Sequence, residues 1–457
     1  LTLSGGGSLV SGGLTLNNAD SKLLLNSITV DSVSTTIDNS LGLDVDNNST
    51  ITALSVGHIT PVSIAAGKSL SGAITVSAGS LKLAETGTLA SSVSMSGGTL
   101  DADESSTVSG ALTQSGDITI DVADNKTLTY SGSAISVGAN TLTLSGGGSL
   151  VSGGLTLNNA NSKLLLNSIT LDSVSTSADS SSGGLDVDDN STVSSLSVAH
   201  ITPVSIASGK SLSGAITVTA GSLKLDDTGT LASSISMSGG TLDVDNSSTV
   251  SGALSHTANI TIDVADNKTL TYSGAAISVG ANTLTLSGGG SLVSGGLTLN
   301  NADSKLLLNS ITVDNVSTTS DSLGLDVDAD STVTSLSVAN ITPVSIASGK
   351  SLSGAITVSA GSLKLNETGT LASSVSMRGG TLDADESSTV SGALTQTADI
   401  TIDVADNKTL TYSGSAISVG ANTLTLSGGG SLVSGGLTLN NADSKLLLNS
   451  ITLDNVS

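Results

Sequence analysis

The residues of this chain best suited to chemistry are carboxylates. Asp101 and Asp103 flank Ala102, and Asp121 stands 20 positions beyond Asp101, with Asp124 corresponding to Glu104. The pattern returns as Asp243, Asp245, Asp263 and Asp266, then as Asp383, Asp385, Glu386, Asp403 and Asp406. Carboxylates brought together by such spacing repel one another unless salt, water or a cation intervenes. Hard oxygen ligands suit Ca2+, which accepts about six to eight of them in irregular geometry. These residues are therefore candidate weak Ca2+ sites. The structural alternative is a row of solvated turns, because Asp and Asn tolerate turn conformations. The glycine-rich nonapeptide of calcium-binding β-rolls is absent.

Other chemistries are poorly served. A site essential to a repeated unit should recur with it, and histidine does not: His58 and His200 correspond, but the third copy has Asn340. His256 stands where the other copies have Gln114 and Gln396. Arg378 is a lone arginine, opposite Ser96 and Ser238. No Ser-His-Asp set recurs. Ser145-Gly146-Gly147-Gly148 lacks the Gly-Lys-Ser/Thr of a phosphate loop and reads as a tight turn. With 38 acidic residues against 14 Lys+Arg and no cysteine, the chain has no basic patch to neutralise the phosphates of a nucleic acid, and thiolate metal sites and disulfides are excluded. The expectation is a protein without catalysis that needs no cofactor and binds no nucleic acid.

A second surface feature is hydroxyl. Thr50-x-Thr52, Ser69-x-Ser71, Thr88, Thr107-x-Ser109 and Thr127-x-Thr129 flank a recurring apolar position. Stacked, they would form two parallel hydroxyl ladders on a flat face, an array similar to the ice-binding face of some β-helical antifreeze proteins. The simpler reading is soluble, β-compatible, charge-poor surface. Tyr130, Tyr272 and Tyr412, the only aromatic residues, fall in inward columns.

The elements that must position these residues are set by repetition. LTLSGGGSLVSGGLTLNNA begins at Leu1 and returns from Leu142, Leu284 and Leu424, which divides the chain into 1–141, 142–283, 284–423 and a partial copy, 424–457. Every difference in length falls in one stretch, Ser34 to Asp44 in the first copy, which marks an exposed loop. Val33 to Val45 spans 12 positions, Val174 to Val187 spans 13, and Val316 to Val327 spans 11.

Inside each copy runs a shorter period. Rungs begin at Leu43, Val62, Leu81, Leu100, Ile120, Leu142 and Leu164, 19 to 22 residues apart. Each contains a first alternating pair, a second apolar position (Ile51, Leu70, Leu89, Val108, Leu128, Leu150) and a third alternating stretch such as Leu54-x-Val56. Period-2 alternation bounded by Gly, Asn, Asp and Ser signals strands, and helical spacing is absent. Identical offsets in successive rungs predict an all-β chain, a parallel β-solenoid of about seven rungs per repeat, right-handed by strand-crossover geometry. A string of Ig-like sandwiches would instead need large aromatic cores and hairpin turns. Lys82 lies one rung before Asp101 in the same outward column, which predicts an ion pair between rungs.

GGTLDADESSTVSGAL and GANTLTLSGGGSLVSGGLTL resemble the Gly/Ser/Thr-rich β-helical repeats of bacterial autotransporter passengers and large secreted adhesins. The resemblance covers nearly the whole chain and implies a secreted, cell-surface protein with a structural or adhesive role. Expected partners are copies of itself, end to end or lateral, or a cell or abiotic surface. No membrane-spanning run is visible in the sequence. The alternative expectation is a surface-binding β-helix that recognises ice, mineral or glycan through its hydroxyls, or a calcium-binding adhesin.

Overall fold

The computed structural model describes residues 1–180 and 183–456. Ser181 and Ser182, in the length-variable stretch of the second copy, and Ser457 lie outside the described residues. Two compact units divide the chain, Leu1–Ser234 and Ile235–Ser457. Each is a parallel β-solenoid with strands stacked about 20 residues apart. Among the described residues there is no helix.

One coil of the first unit shows the construction. Its first strand, Ser80–Leu83, is followed by Thr88–Leu89 and Ser92–Met95. Leu81, Leu83, Leu89, Val93 and Met95 point inward, each no more than 2% exposed. The next coil repeats the order, pairing Leu81 with Leu100, Leu89 with Val108 and Val93 with Leu112. The second unit is built alike: Leu363 pairs with Leu382, Leu371 with Val390 and Val375 with Leu394. Backbone groups bond between coils while apolar side chains stack within them, so each coil depends on its immediate neighbours. In the first unit first strands form one sheet and second and third strands the other; in the second unit the third strands Ile417–Ser418 and Leu437–Thr438 pair apart from them. A corner residue, Ser91, turns its buried hydroxyl onto the Leu70 carbonyl of the coil before, at 3.2 Å.

The expected register needs correction at defined steps. Leu81 stacks on Thr60 and Leu83 on Val62, although the apolar pattern had aligned Leu81 with Val62. Likewise Leu142 pairs with Ile118 and Leu144 with Ile120. Along the second strands Leu70 lies over Ser49, and Leu128 over Ser106. Each shift is two residues, so inward residues stay inward. At three of these steps it brings a buried polar side chain into the apolar column. Thr60 bonds Thr35 Oγ1 (2.9 Å), Ser49 bonds the Asn47 carbonyl (2.8 Å), and Ser106 bonds the Glu85 carbonyl (2.8 Å). A hydroxyl that finds such an acceptor is tolerated inside.

The three tyrosines fill the interior, 3–4% exposed. Tyr130 Oη accepts the Leu112 N–H at 3.0 Å, Tyr272 that of Leu254 at 3.0 Å, and Tyr412 that of Leu394 at 3.1 Å.

Candidate functional site

The carboxylate column lies on the first sheet. Lys82, Asp101 and Asp121 are in register on three successive coils. Lys82 Nζ contacts Asp101 at 3.1 Å and Asp103 at 2.9 Å, so the expected ion pair exists and is shared by a second carboxylate. Asp121 accepts the Ser145 hydroxyl of the following coil. Glu104 pairs with Lys126 at 2.6 Å. Asp124 packs over Gly147, whose φ of +80° favours glycine in the neighbouring turn.

The later copies keep the plan with local exchanges in the second, where Lys224 also contacts Asp226 of its own coil at 3.3 Å. Lys364 contacts Asp383 at 3.4 Å and Asp385 at 2.9 Å, Lys408 contacts Glu386 at 2.5 Å, and Asp403 accepts the Ser427 hydroxyl. Asp406 packs over Gly429. In the second copy Asp263 accepts the Ser287 hydroxyl, Asp266 packs over Gly289, and Asn246 replaces the glutamate, accepting from Lys268 at 3.0 Å. Asp243 and Asp245 are also engaged in polar or electrostatic contacts. Lysines and serines thus engage Asp101, Asp103, Glu104, Asp121, Asp263, Asp383, Asp385, Glu386 and Asp403, whereas Asp124, Asp266 and Asp406 pack against glycines. Among the described residues no group of three or more His, Asp or Glu side chains converges to hold a metal ion.

Burial, the largest effect, pushes Asp101 and Asp383 above the usual carboxylate range, although their lysines pull the other way. The Asp103 hydrogen bond holds Lys82 above the ordinary lysine value despite partial burial. The folded chain therefore binds the Asp101 proton more tightly than the unfolded chain. This contribution is fully present below pH 3.8 and is lost as pH rises through the raised folded value. Asp101→Asn is expected to raise the melting temperature at neutral pH and to flatten its dependence in mildly acidic buffer, read by circular dichroism. A lower melting temperature at neutral pH would show that the Lys82 pair outweighs burial.

Several polar ties have no counterpart in the apolar periodicity. Lys22–Asp44, Lys163–Asp186 and Lys305–Asp326 join successive coils at 2.6, 2.8 and 2.7 Å. Lys22, Lys163 and Lys305 stack on Gly42, Gly184 and Gly324, so each pair runs diagonally to an aspartate two positions further along the next strand. His58 and His200 lie 3.3 and 3.4 Å from Asp38 and Asp179. His256 sets its two ring nitrogens against the Ala258 and Ser278 carbonyls, at 3.1 and 3.0 Å.

The hydroxyl array differs from the expected pair of ladders. Thr50 does bond Ser71 at 2.7 Å, but the two-residue shifts break the columns. Ser69, Thr88, Thr107 and Thr129 follow one another and then meet Val151, which is 45% exposed. Thr127 opens a new column with Ser149, and Thr52 lies opposite a register irregularity. The unbroken column is on the third strands. Thr15, Ser34, Ser55, Thr75, Ser94 and Thr113 stack on six successive coils of the first unit. In the second unit Thr298, Ser317, Ser337, Thr357, Ser376 and Thr395 do the same.

Fold and surface together define a tandem-repeat parallel β-solenoid whose polar residues tie coil to coil. No family model, no curated protein and no solved structure matches the chain.

Proposed function

We propose that this chain is a repetitive structural segment of an extracellular fibre, filament or adhesin stalk, exported to the cell surface and without catalysis. The observation that supports the reading is recurrence of the coil itself. The same aliphatic ladders and interior tyrosines return in each full repeat, whereas histidine and arginine do not. Near-identical repeats allow length to change in whole units, and a net charge of -24 opposes indiscriminate lateral collapse. The partners are copies of the chain, and the test is electron microscopy of the native assembly. Filaments of uniform width are expected, and short, capped, monodisperse particles would overturn the polymer.

A second reading, a surface-binding β-helix, draws on the unbroken third-strand hydroxyl column. Thermal hysteresis in cooled solutions would reveal ice binding, and its absence would remove that form of the reading. For calcium, the expected result is a melting temperature unchanged by EDTA, because lysine and serine already serve the stacked carboxylates. A fall that added Ca2+ restores would place structural calcium there.

A further inference from the structure

The coil that carries a tyrosine differs from the coil before it at one corner. Five positions separate Tyr130 from Ile135, where four separate Val108 from Leu112. The counts are the same for Tyr272 to Ile277 against Val250 to Leu254, and for Tyr412 to Ile417 against Val390 to Leu394. The corner between second and third strands thus lengthens by one residue at this step of every full repeat.

The third face is interrupted there. Leu112–Gln114 pairs with the coil before it, and Ile135–Ser136 with the coil after it. Among the described residues no strand pairing joins these two to each other. The same holds between Leu254–His256 and Ile277–Ser278, and between Leu394–Gln396 and Ile417–Ser418. The other two faces stay laddered across the same step. In the first copy Leu100 pairs with Ile120 and Val108 with Tyr130. In the second Leu242 pairs with Ile262 and Val250 with Tyr272, and in the third Leu382 with Ile402 and Val390 with Tyr412.

Side chains bridge the interruption. The Tyr130 oxygen accepts the Leu112 N–H, as Tyr272 does for Leu254 and Tyr412 for Leu394. Gln114 and Gln396 donate through Nε2 to the Thr141 and Thr423 carbonyls, at 2.9 and 3.0 Å. In the second copy His256 stands in place of glutamine and sets Nε2 against the Ser278 carbonyl at 3.0 Å.

We infer that this step is a seam at which each full repeat opens locally, with the tyrosine oxygen as its latch, while the first and second faces remain paired. A ladder loses its hydrogen bonds together, but a seam closed by two side-chain bonds opens when those two are lost. The core is still held by the ladders of the other faces. The device depends on a corner length and a hydroxyl, so it is independent of the fibre reading proposed above.

The second copy provides the test, because LSHTANIT from Leu254 and GAAISVG from Gly274 occur once in the chain. In the full chain, amide exchange of Leu254–His256 and Ile277–Ser278, corrected for intrinsic rates, should run about tenfold faster than that of Thr241–Val244 and Ser248–Val250. Tyr272→Phe keeps the ring and removes the acceptor. It should raise exchange of Leu254–His256 by about a further tenfold and leave Thr241–Val244 and Ser248–Val250 as they were. His256→Ala, which frees the Ser278 carbonyl, should likewise act on the third face alone. Equal protection of all three faces in the unaltered chain would overturn the seam. So would a Tyr272→Phe effect that is absent from the third face or that spreads to the other two.

Discussion

Gly72→Ala is expected to melt its coil locally and to lower the stability of the neighbouring coils by roughly 3 kcal/mol or more. Gly72 sits where the strand Ser69–Val76 bends from the second face to the third, with φ +119°. Pairing with the preceding coil jumps there from Ile51/Gly72 to Ala53/Ala73. An added Cβ would lie 1.8 Å from the Ile51 carbonyl oxygen. That oxygen is backbone, fixed by its own coil, so no rotamer change relieves the contact. Gly214 and Gly354 repeat the geometry, each with φ +121° and 1.8 Å to a valine carbonyl. Amide exchange across Ser69–Val76 should rise steeply in the single variant, and replacing all three glycines should abolish soluble folding. Gly67 is the control: it has φ +71° but nothing within 4 Å of its Cβ direction, so Gly67→Asn should be tolerated. Equal damage at both positions would show that φ alone, and not the close approach, demands glycine.

Leu144→Ala is expected to cost about 2–5 kcal/mol. Leu144 is fully buried, stacked between Ile120 and Leu166. Its loss leaves a cavity in an aliphatic column that the coils above and below cannot close without breaking their own pairing. Because each coil contacts only its neighbours, protection should fall first in Ile118–Val122 and Lys163–Leu166 and persist in the equivalent strands around Leu286 and Leu426. Leu144→Met, which conserves volume, should cost less than about 1.5 kcal/mol. Uniform loss of protection over the whole chain would mean that the coils unfold as one cooperative block.

Much of the carboxylate surface was legible before any coordinates, because it follows the coil period. Lys82 and Asp101 share an outward column, and their pairing could be read by counting. The sharing of Lys82 by Asp103, and the packing of Asp124 over Gly147, depend on how turns lean between coils. The hydrogen bond from the Ile59 N–H to Asp38, 2.9 Å long, was invisible for a different reason: Asp38 lies in a stretch with no period, and its partner is a backbone N–H, which leaves no trace in residue type.

The sequence by itself determined the strand alternation, the coil of about 20 residues and the parallel stacking, because apolar offsets that recur coil after coil are buried together when the coils stack in parallel. Only the tertiary structure decided which inward residue lies on which. A slip of two residues preserves the in–out alternation, so the hydrophobic pattern cannot detect it. The choice fell at Thr60, Ser49 and Ser106, where an inward hydroxyl finds an acceptor on the same or an adjacent coil. At each such step the outward side chains of the strand shift along with the inward ones. These shifts break the hydroxyl columns of the second strands, while the third strands keep theirs intact.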